Sequence, residues 1–587
     1  MPRAKAVLYG DFETTQPNKD GRVRVYLWAL AFPDYKVKHG ISINTFMDAI
    51  LRRRAIIYFH NLKFDFSYIF QYLQEHKIEY EICEKMGTIY SVKFNNIELR
   101  DSLNYLNMTL RQIGQNYCEK YKKLDYDEYE KPYTYIPNKD DIKYCEYDVL
   151  TLKEGFEKYC DVMRNILLSV GATNSADMIG KKLTNAGFAY EAFKELSDLE
   201  KVCIKTTREQ YELFHFAYKG GYVYSKEGLY EYVLMLDENS MYPDKYRNTP
   251  MPIGRPIFVK TEKEMNKYKF AILSIEARYE LKKGYIPIIG GGVGKYGGTL
   301  YKSSSGGEYE RLVISNYDFN LIKEFYDIDY TIEWIYVWET KTGLFEKYCD
   351  LFMEIKAKSK GVIRAGAKVF LNSPYGKTAM SGINDVKDYY LDDDNIVRAT
   401  IKEVEEDDSQ LQYLPIAIAI TASARYQLLT TARDIGFDKV VYMDTDSIKF
   451  KIGKELYDLL ISLPAEERQN EVIKHFPHIQ IDSYKLGWWK VEGYPLYFKT
   501  LACKKYLYYE NDRLHITIAG FNKPAVLQAI GTINDTTIEN EVVSIPISKE
   551  KALKVLSKFK KGLKVLCNQS KLVAGGRLIS SVEKEIR

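Results

Sequence analysis

Tyr442-Met-Asp-Thr-Asp-Ser-Ile-Lys-Phe450, YMDTDSIKF, sets two acids one residue apart between two apolar runs. Val440 to Met443 leads in and Ile448 to Phe450 leads out, so the stretch reads as strand, tight turn, strand. In extended backbone, residues two apart point to the same side, which makes Asp444 and Asp446 close neighbours. Two unit charges about 4 Å apart repel by roughly 4 kcal/mol at an effective dielectric near 20. Water at a turn, where Asp is common, is one way to offset that. A divalent cation is the other, and the rest of the chain must then supply further ligands.

Asp237 is one candidate. It ends the apolar run YVLMLD and begins the turn of LDENSMYPDKY, so its side chain emerges at a strand end. With Asp444, Asp446 and the backbone carbonyl of Glu238, it offers hard oxygen donors for two cations. A basic segment follows at 346–372, EKYCDLFMEIKAKSKGVIRAGAKVFLN, read as one long amphipathic helix with Lys356, Lys360, Arg364 and Lys368 recurring every fourth residue. A charge run of this kind fits a solvated face. Here it runs directly into NSPYG, where Pro374 ends the helix near Ser373 and frees Tyr375 to stack on a base. Cations that reach a triphosphate beside an aromatic platform point to nucleotide binding.

A second carboxylate set lies upstream. Asp11 and Glu13 in DFETT follow an apolar strand and share one face, HNLKFD places Asn61 and Asp65 four apart on a helix, and YCEYD repeats that spacing with Tyr144 and Asp148. Each alone fits a strand-end turn, a capped helix or a polar surface. Together they bring four carboxylates and a water-orienting tyrosine to one α/β unit, as two divalent ions acting in phosphodiester hydrolysis require.

Composition bounds the alternatives. A chain of 587 residues needs several cores; 46% hydrophobic and 28% charged residues are ordinary for a globular protein, and a net charge of +4 selects no partner. Local charge says more: Lys549 to Lys571 holds eight lysines and one acid, Glu550. The eight cysteines never fall in a C-x-x-C pair, which argues for reduced thiols and against structural zinc. The start, MPRAKAVLYGDFETT, has no long apolar core and no run approaches a membrane span, so neither leader nor anchor is expected. Fifty-one tyrosines suit wet interfaces and base stacking. GGGVGKYGG at 290–298 matches G-x-G-x-x-G, but the turn-rich TLYKSSSGGE after it is no helix, so it reads as a glycine loop. No P-loop occurs, and His475 and His478 lack a third metal ligand.

In this order the motifs resemble those of family B DNA polymerases. The exonuclease signatures D-x-E, N-x-x-x-D and Y-x-x-x-D are met by Asp11/Glu13, Asn61/Asp65 and Tyr144/Asp148. The polymerase signatures are met by Asp237 to Pro243, Lys368 to Gly376, Asp444 to Ser447, and Lys504 with Tyr506. Short length, YKGG with Tyr218, Gly220 and Gly221, TASAR from Thr421 to Arg425, and YFHNLKFD make the chain most similar to the protein-primed branch of small Bacillus podoviruses, the phi-twenty-nine type. Pro374 departs from that branch, which more often has a leucine-like residue there.

The resemblance implies an α/β and α+β multidomain fold: an RNase H-like 3′–5′ exonuclease (1–175), palm (176–248 and 414–520), fingers (346–379), thumb (521–587) and two terminal-protein-region insertions (249–345 and 380–413). It implies a protein-primed, strand-displacing, processive DNA polymerase that uses two Mg²⁺ ions (or Mn²⁺) per site. Its partners would be template and primer DNA, deoxynucleotides and a terminal protein, in a chain otherwise monomeric in the cytoplasm of an infected bacterium. By position, Asp237 and Asp446 would hold the polymerase metals with Asp444 supporting, and Asp11, Glu13, Asp65 and Asp148 those of the nuclease. Tyr242, Lys356, Lys368, Asn372 and Tyr375 would bind nucleotide. Thr14, Tyr58, His60, Asn61, Tyr68, Ser102 and Leu103 would grip a frayed strand. Tyr218, Gly220, Gly221, Ser240, Arg425, Lys504 and Tyr506 would contact primer-template. A polymerase that starts only from nucleic-acid primers, a nuclease with an inactive palm, and a non-catalytic DNA-binding module are the alternatives.

Overall fold

Strand parity decides how the first layer is used. Along Ala6–Thr14, Leu8 and Phe12 pack with Leu62, Phe66 and Ile69 on one side, whereas Tyr9 packs with Cys145, Val149 and Leu152 on the other. Successive residues alternate faces, so Asp11 and Glu13 share the side of Tyr9, under the 31-residue helix Lys139–Ser169. That helix starts sharply because the Asn138 side chain accepts from the amides of Asp140 and Asp141. The computed structural model describes residues 5–586 apart from 20–21, 86, 126–130, 294–298, 392–396, 533–543 and 574–575.

Among the described residues, seven strands form the N-terminal sheet, in the order Val37–Gly40, Val25–Ala31, Ala6–Thr14, Ala55–Phe59, Ile97–Asp101, Thr88–Phe94 and Glu81–Lys85. Ala6–Thr14 and Ile97–Asp101 flank Ala55–Phe59 in parallel, and the outer pairs are antiparallel. Helices cover both faces, and Val25–Ala31 is buried at every position, as a central strand between two layers must be.

A second sheet runs Trp489–Gly493, Val233–Glu238, Ser447–Lys451, Val440–Asp444 and Val223–Ser225. Its apolar strands pack against Leu428, Leu429 and Ala432 of the helix Leu414–Ile435. Between its first and second acidic strands lie a four-stranded sheet (Met251–Val259, Tyr326–Lys341, Phe270–Leu281, Glu310–Ser315) and the hairpin Ile383–Leu391/Val397–Glu406. That hairpin leans on the first sheet's rim, where Glu84 accepts from Lys387 Nζ at 2.8 Å and from the Tyr389 hydroxyl. The strands Tyr497–Ala502, Lys505–Glu510 and Arg513–Ile518 and the hairpin Lys564–Val573/Gly576–Glu585 close the chain.

Four local expectations change. The segment 346–372 is two helices, Glu346–Lys358 and Gly361–Asn372, because Ser359 is extended and Gly361 takes φ +55°. Asn61 caps the helix Leu62–Glu75 at φ 75° instead of lying within it. Tyr375 opens a short 3₁₀ turn, Tyr375–Ala379, and not a free loop. Within the glycine run, Ile289–Val293 is a strand paired with Thr299–Lys302, and 294–298 lie outside the described residues. The eight cysteines are free thiols, and no described helix is long and apolar enough to cross a membrane.

Candidate active site

Val440–Asp444 and Ser447–Lys451 pair with Asp444 opposite Ser447, and Thr445 turns the chain at φ 59°. On the other side of Ser447–Lys451, Asp237 also stands opposite Ser447. The Glu238 amide donates to the Asp446 carbonyl at 2.7 Å, so the turn is fastened to the end of the neighbouring strand. Burial and the Asp446 carboxylate push Asp237 up to about 7, and Asp446 is raised chiefly by burial. A divalent cation between two such buried acids would offset their repulsion, and carboxylate oxygens are the donors that Mg²⁺ and Mn²⁺ take. The residues fit such an ion.

A cleft of about 1010 Å³ opens over these acids. Asp237, Glu238, Ser240, Tyr242, Lys356, Lys368, Asn372, Tyr375 and Asp446 all line it. Lys356 donates to Ser240 Oγ at 2.8 Å, and Tyr242 and Tyr375 stack with ring centroids 4.2 Å apart. The helix break makes this possible, since Lys356 and Lys368 come from different helices that both face the cleft. Asp444 is placed otherwise: Lys504 Nζ reaches its Oδ2 at 2.7 Å, and Tyr442, whose ring meets that of Tyr506, donates to it at 3.3 Å. Lys490, directly opposite Asp237 on the next strand, and Arg364 also line the cleft. Lys245, like Lys490 and unlike Arg364, is absent from the motif reading; it lies buried below, 2.9 Å from Glu238 Oε1 and 2.8 Å from Asp244 Oδ2.

Gly221 and Arg425 act on the turn from behind. A Cβ on Gly221 would lie 2.4 Å from Thr445 Oγ1. Gly221→Ala is therefore expected to displace the acidic turn and to slow the reaction carried out there roughly 10- to 100-fold, leaving any activity of the first sheet's acids unaffected; separate assays of the two sites check this. Arg425 was expected at DNA, but it is 6% exposed and paired with Asp318 at 2.8 Å while donating to the carbonyls of Lys219 at 2.6 Å and Gly220 at 3.1 Å. Its place is to brace the loop that carries Tyr218, Gly220 and Gly221.

Where the helix Lys139–Ser169 covers the first sheet, Asp11, Glu13 and Cys145 present donor atoms all within 4.8 Å of one another. Burial first, then the charge of Asp148, raises Asp11 to about 7. Asp65 is buried in the first turn of its helix, beside the same sheet. Lys123 pairs with Asp148 Oδ2 at 2.6 Å and sits 4.6 Å from the Tyr144 ring centre. No spacing in the sequence singles out Lys123.

The expected strand-gripping residues divide. Thr14, His60, Asn61 and Leu103 are at least partly accessible. Tyr58 and Tyr68, 2% and 4% exposed, lie in the core, Tyr58 between Tyr9, Tyr105 and Phe156. Ser102 is wholly buried, donating to the Phe59 carbonyl and bonding His60 Nδ1 at 3.0 Å. Direct contact from Tyr58 and Ser102 gives way to support, because their hydroxyls are already bonded, while the Tyr68 ring packs edge-on against Phe64.

The profile of the family described as DNA polymerase type B, organellar and viral, matches residues 47–141 and 119–455. The chain is similar to the DNA polymerase of Bacillus phage PZA, 30% identical over 85% of this chain and 86% of that one, and to that of Streptococcus phage Cp-1, 26% identical over 98% of each. Among solved structures, phi29 DNA polymerase with primer-template DNA and incoming nucleotide matches with a TM-score of 0.79, at 25% identity over the full length of both chains.

Proposed function

Because the chain belongs to the organellar and viral type B DNA polymerases, and so is a nucleotidyltransferase, we propose that it copies a linear phage genome from a protein primer and proofreads its product. Structures of a relative with primer-template DNA and nucleotide support the substrates. The observation that carries the reading is the meeting of Asp237 and Asp446 at adjoining strand ends, in one cleft with Lys356 and Lys368. A primer hydroxyl attacks the α-phosphate of the deoxynucleotide, a P–O bond forms, and pyrophosphate departs. Lys356, Lys368 and Arg364 balance the triphosphate charge, and the Tyr242–Tyr375 stack supports sugar and nascent pair beside Asn372. Lys504 and Tyr506 steady the primer end. Asp237, Asp446 and the Glu238 carbonyl would hold two Mg²⁺ ions, with Asp444 in support; when bound, these lower the charge on the attacking and leaving oxygens.

The second site would trim. Asp11, Glu13, Asp65 and Asp148 would hold its ions, and Tyr144 would orient the attacking water. The insertions at 249–345 and 380–413 would surround template and product, the former also receiving a terminal protein; division into 1–175, palm, fingers and thumb follows the same reading, as does a place in the cytoplasm of an infected bacterium. Incubation with a cognate terminal protein, labelled dATP and Mn²⁺ is expected to yield a nucleotide–protein adduct. Extension of a DNA primer with no such adduct would sink protein priming. On a singly primed circle without accessory factors, products many times the circle length are expected; arrest after one lap would remove strand displacement.

A further inference from the structure

One ligand in the nuclease site is of the wrong chemical kind for Mg²⁺. Cys145 lies three residues before Asp148 in Lys139–Ser169, on the same helix face. Its side chain is fully buried, and its Sγ stands within 4.8 Å of the carboxylate oxygens of Asp11 and Glu13. Among the described residues the thiol has no hydrogen-bond partner. A fully buried sulfur held against two carboxylates and making no hydrogen bond among the described residues is placed as a ligand would be.

Resting on the nuclease reading above, we propose that this site takes a thiophilic divalent cation, Zn²⁺ or Cd²⁺, through Cys145 with Asp11 and Glu13, and that such an ion switches trimming off while leaving synthesis running. Hard Mg²⁺ takes oxygen and leaves a thiol alone, whereas Zn²⁺ and Cd²⁺ take sulfur. Tetrahedral Zn²⁺, with bonds of about 2.3 Å to sulfur and about 2.1 Å to oxygen, sets its donors roughly 3.5 Å apart, inside the 4.8 Å within which these three donors already lie. Binding exchanges the S–H bond for an S–metal bond and releases one proton to the buffer; no oxidant is needed. The second site differs, since its cleft is lined by no cysteine.

The test uses the full chain carrying Cys83→Ser and Cys503→Ser, which removes the exposed thiols. Titration with Cd²⁺ alone is expected to raise an ultraviolet sulfur-to-cadmium band that saturates at one equivalent. Cys145→Ala and the near-isosteric Cys145→Ser should each lose the band while DNA synthesis persists, which also shows that they fold. In Mg²⁺, the Zn²⁺ concentration that halves degradation should rise about tenfold or more in both variants. A band that survives both substitutions, or none in the parent while Mg²⁺-dependent degradation is intact, overturns the inference. Absence of Mg²⁺-dependent degradation in the parent overturns the nuclease reading itself.

Discussion

Asp237→Ala is expected to stop DNA synthesis and to leave the proposed 3′–5′ degradation at the parental rate. Asp237 stands at the end of Val233–Glu238, opposite Ser447, while Asp11 and Glu13 belong to the seven-stranded sheet. A metal-held transition state loses several kcal/mol with its ligand, and about 1.4 kcal/mol is tenfold in rate, so incorporation should fall by roughly 10³-fold or more. The paired change Asp11→Ala with Asp65→Ala should do the reverse, abolishing degradation and sparing extension. Single-turnover extension and release of labelled 3′ nucleotides read the two activities separately. One substitution that killed both would refute two independent sites.

Asp318→Asn is expected to cost stability as well as synthesis. The Asp318 carboxylate is buried against the Arg425 guanidinium, with Ser315 also donating to it. Burial pulls its pKa up, but Arg425, Lys219 and Ser315 outweigh that and leave it below the ordinary value. Breaking one side of a buried pair costs about 3–5 kcal/mol, because Arg425 stays behind without its counterion. A depressed carboxylate contributes stability at pH above its unfolded value near 4 and loses it as pH falls through the folded one. The gap between parent and variant should therefore be constant above about pH 5 and narrow below about pH 4, as urea midpoints across that range would show. Replacing both partners, Asp318→Asn with Arg425→Gln, should be milder than either single change. Synthesis should still suffer in the double variant, since Arg425 also holds the loop carbonyls behind Thr445.

Legibility in the sequence followed locality. The strand of Asp11 and Glu13, the hairpin of Asp444 and Asp446, and the family B fold were readable because alternation and motif spacing are properties of a few consecutive residues. The helix break at Ser359–Gly361 was not, since a four-residue charge period runs through it unchanged and only Gly361's left-handed backbone marks it. Arg425 was misplaced for another reason. Its motif marks a position, but the partner that buries it, Asp318, lies 107 residues away and obeys no spacing. Lys123, Lys245 and Cys145 escaped because a lone lysine or cysteine carries no pattern; only packing brings them beneath the acids.

The pairing of Val233–Glu238 with Ser447–Lys451 joins segments more than two hundred residues apart along the chain. Closing so long a loop is slow, but its entropic cost grows only logarithmically, by about 0.6 kcal/mol for each doubling of length. The intervening modules can thus be lengthened, trimmed or exchanged with almost no thermodynamic penalty to the sheet beneath them. Evolution, or an engineer, can remodel the modules between these two strands while the acids beneath them stay where they are. The corresponding weakness is kinetic: a nascent chain must emerge past Val440–Asp444 before that sheet can begin to assemble.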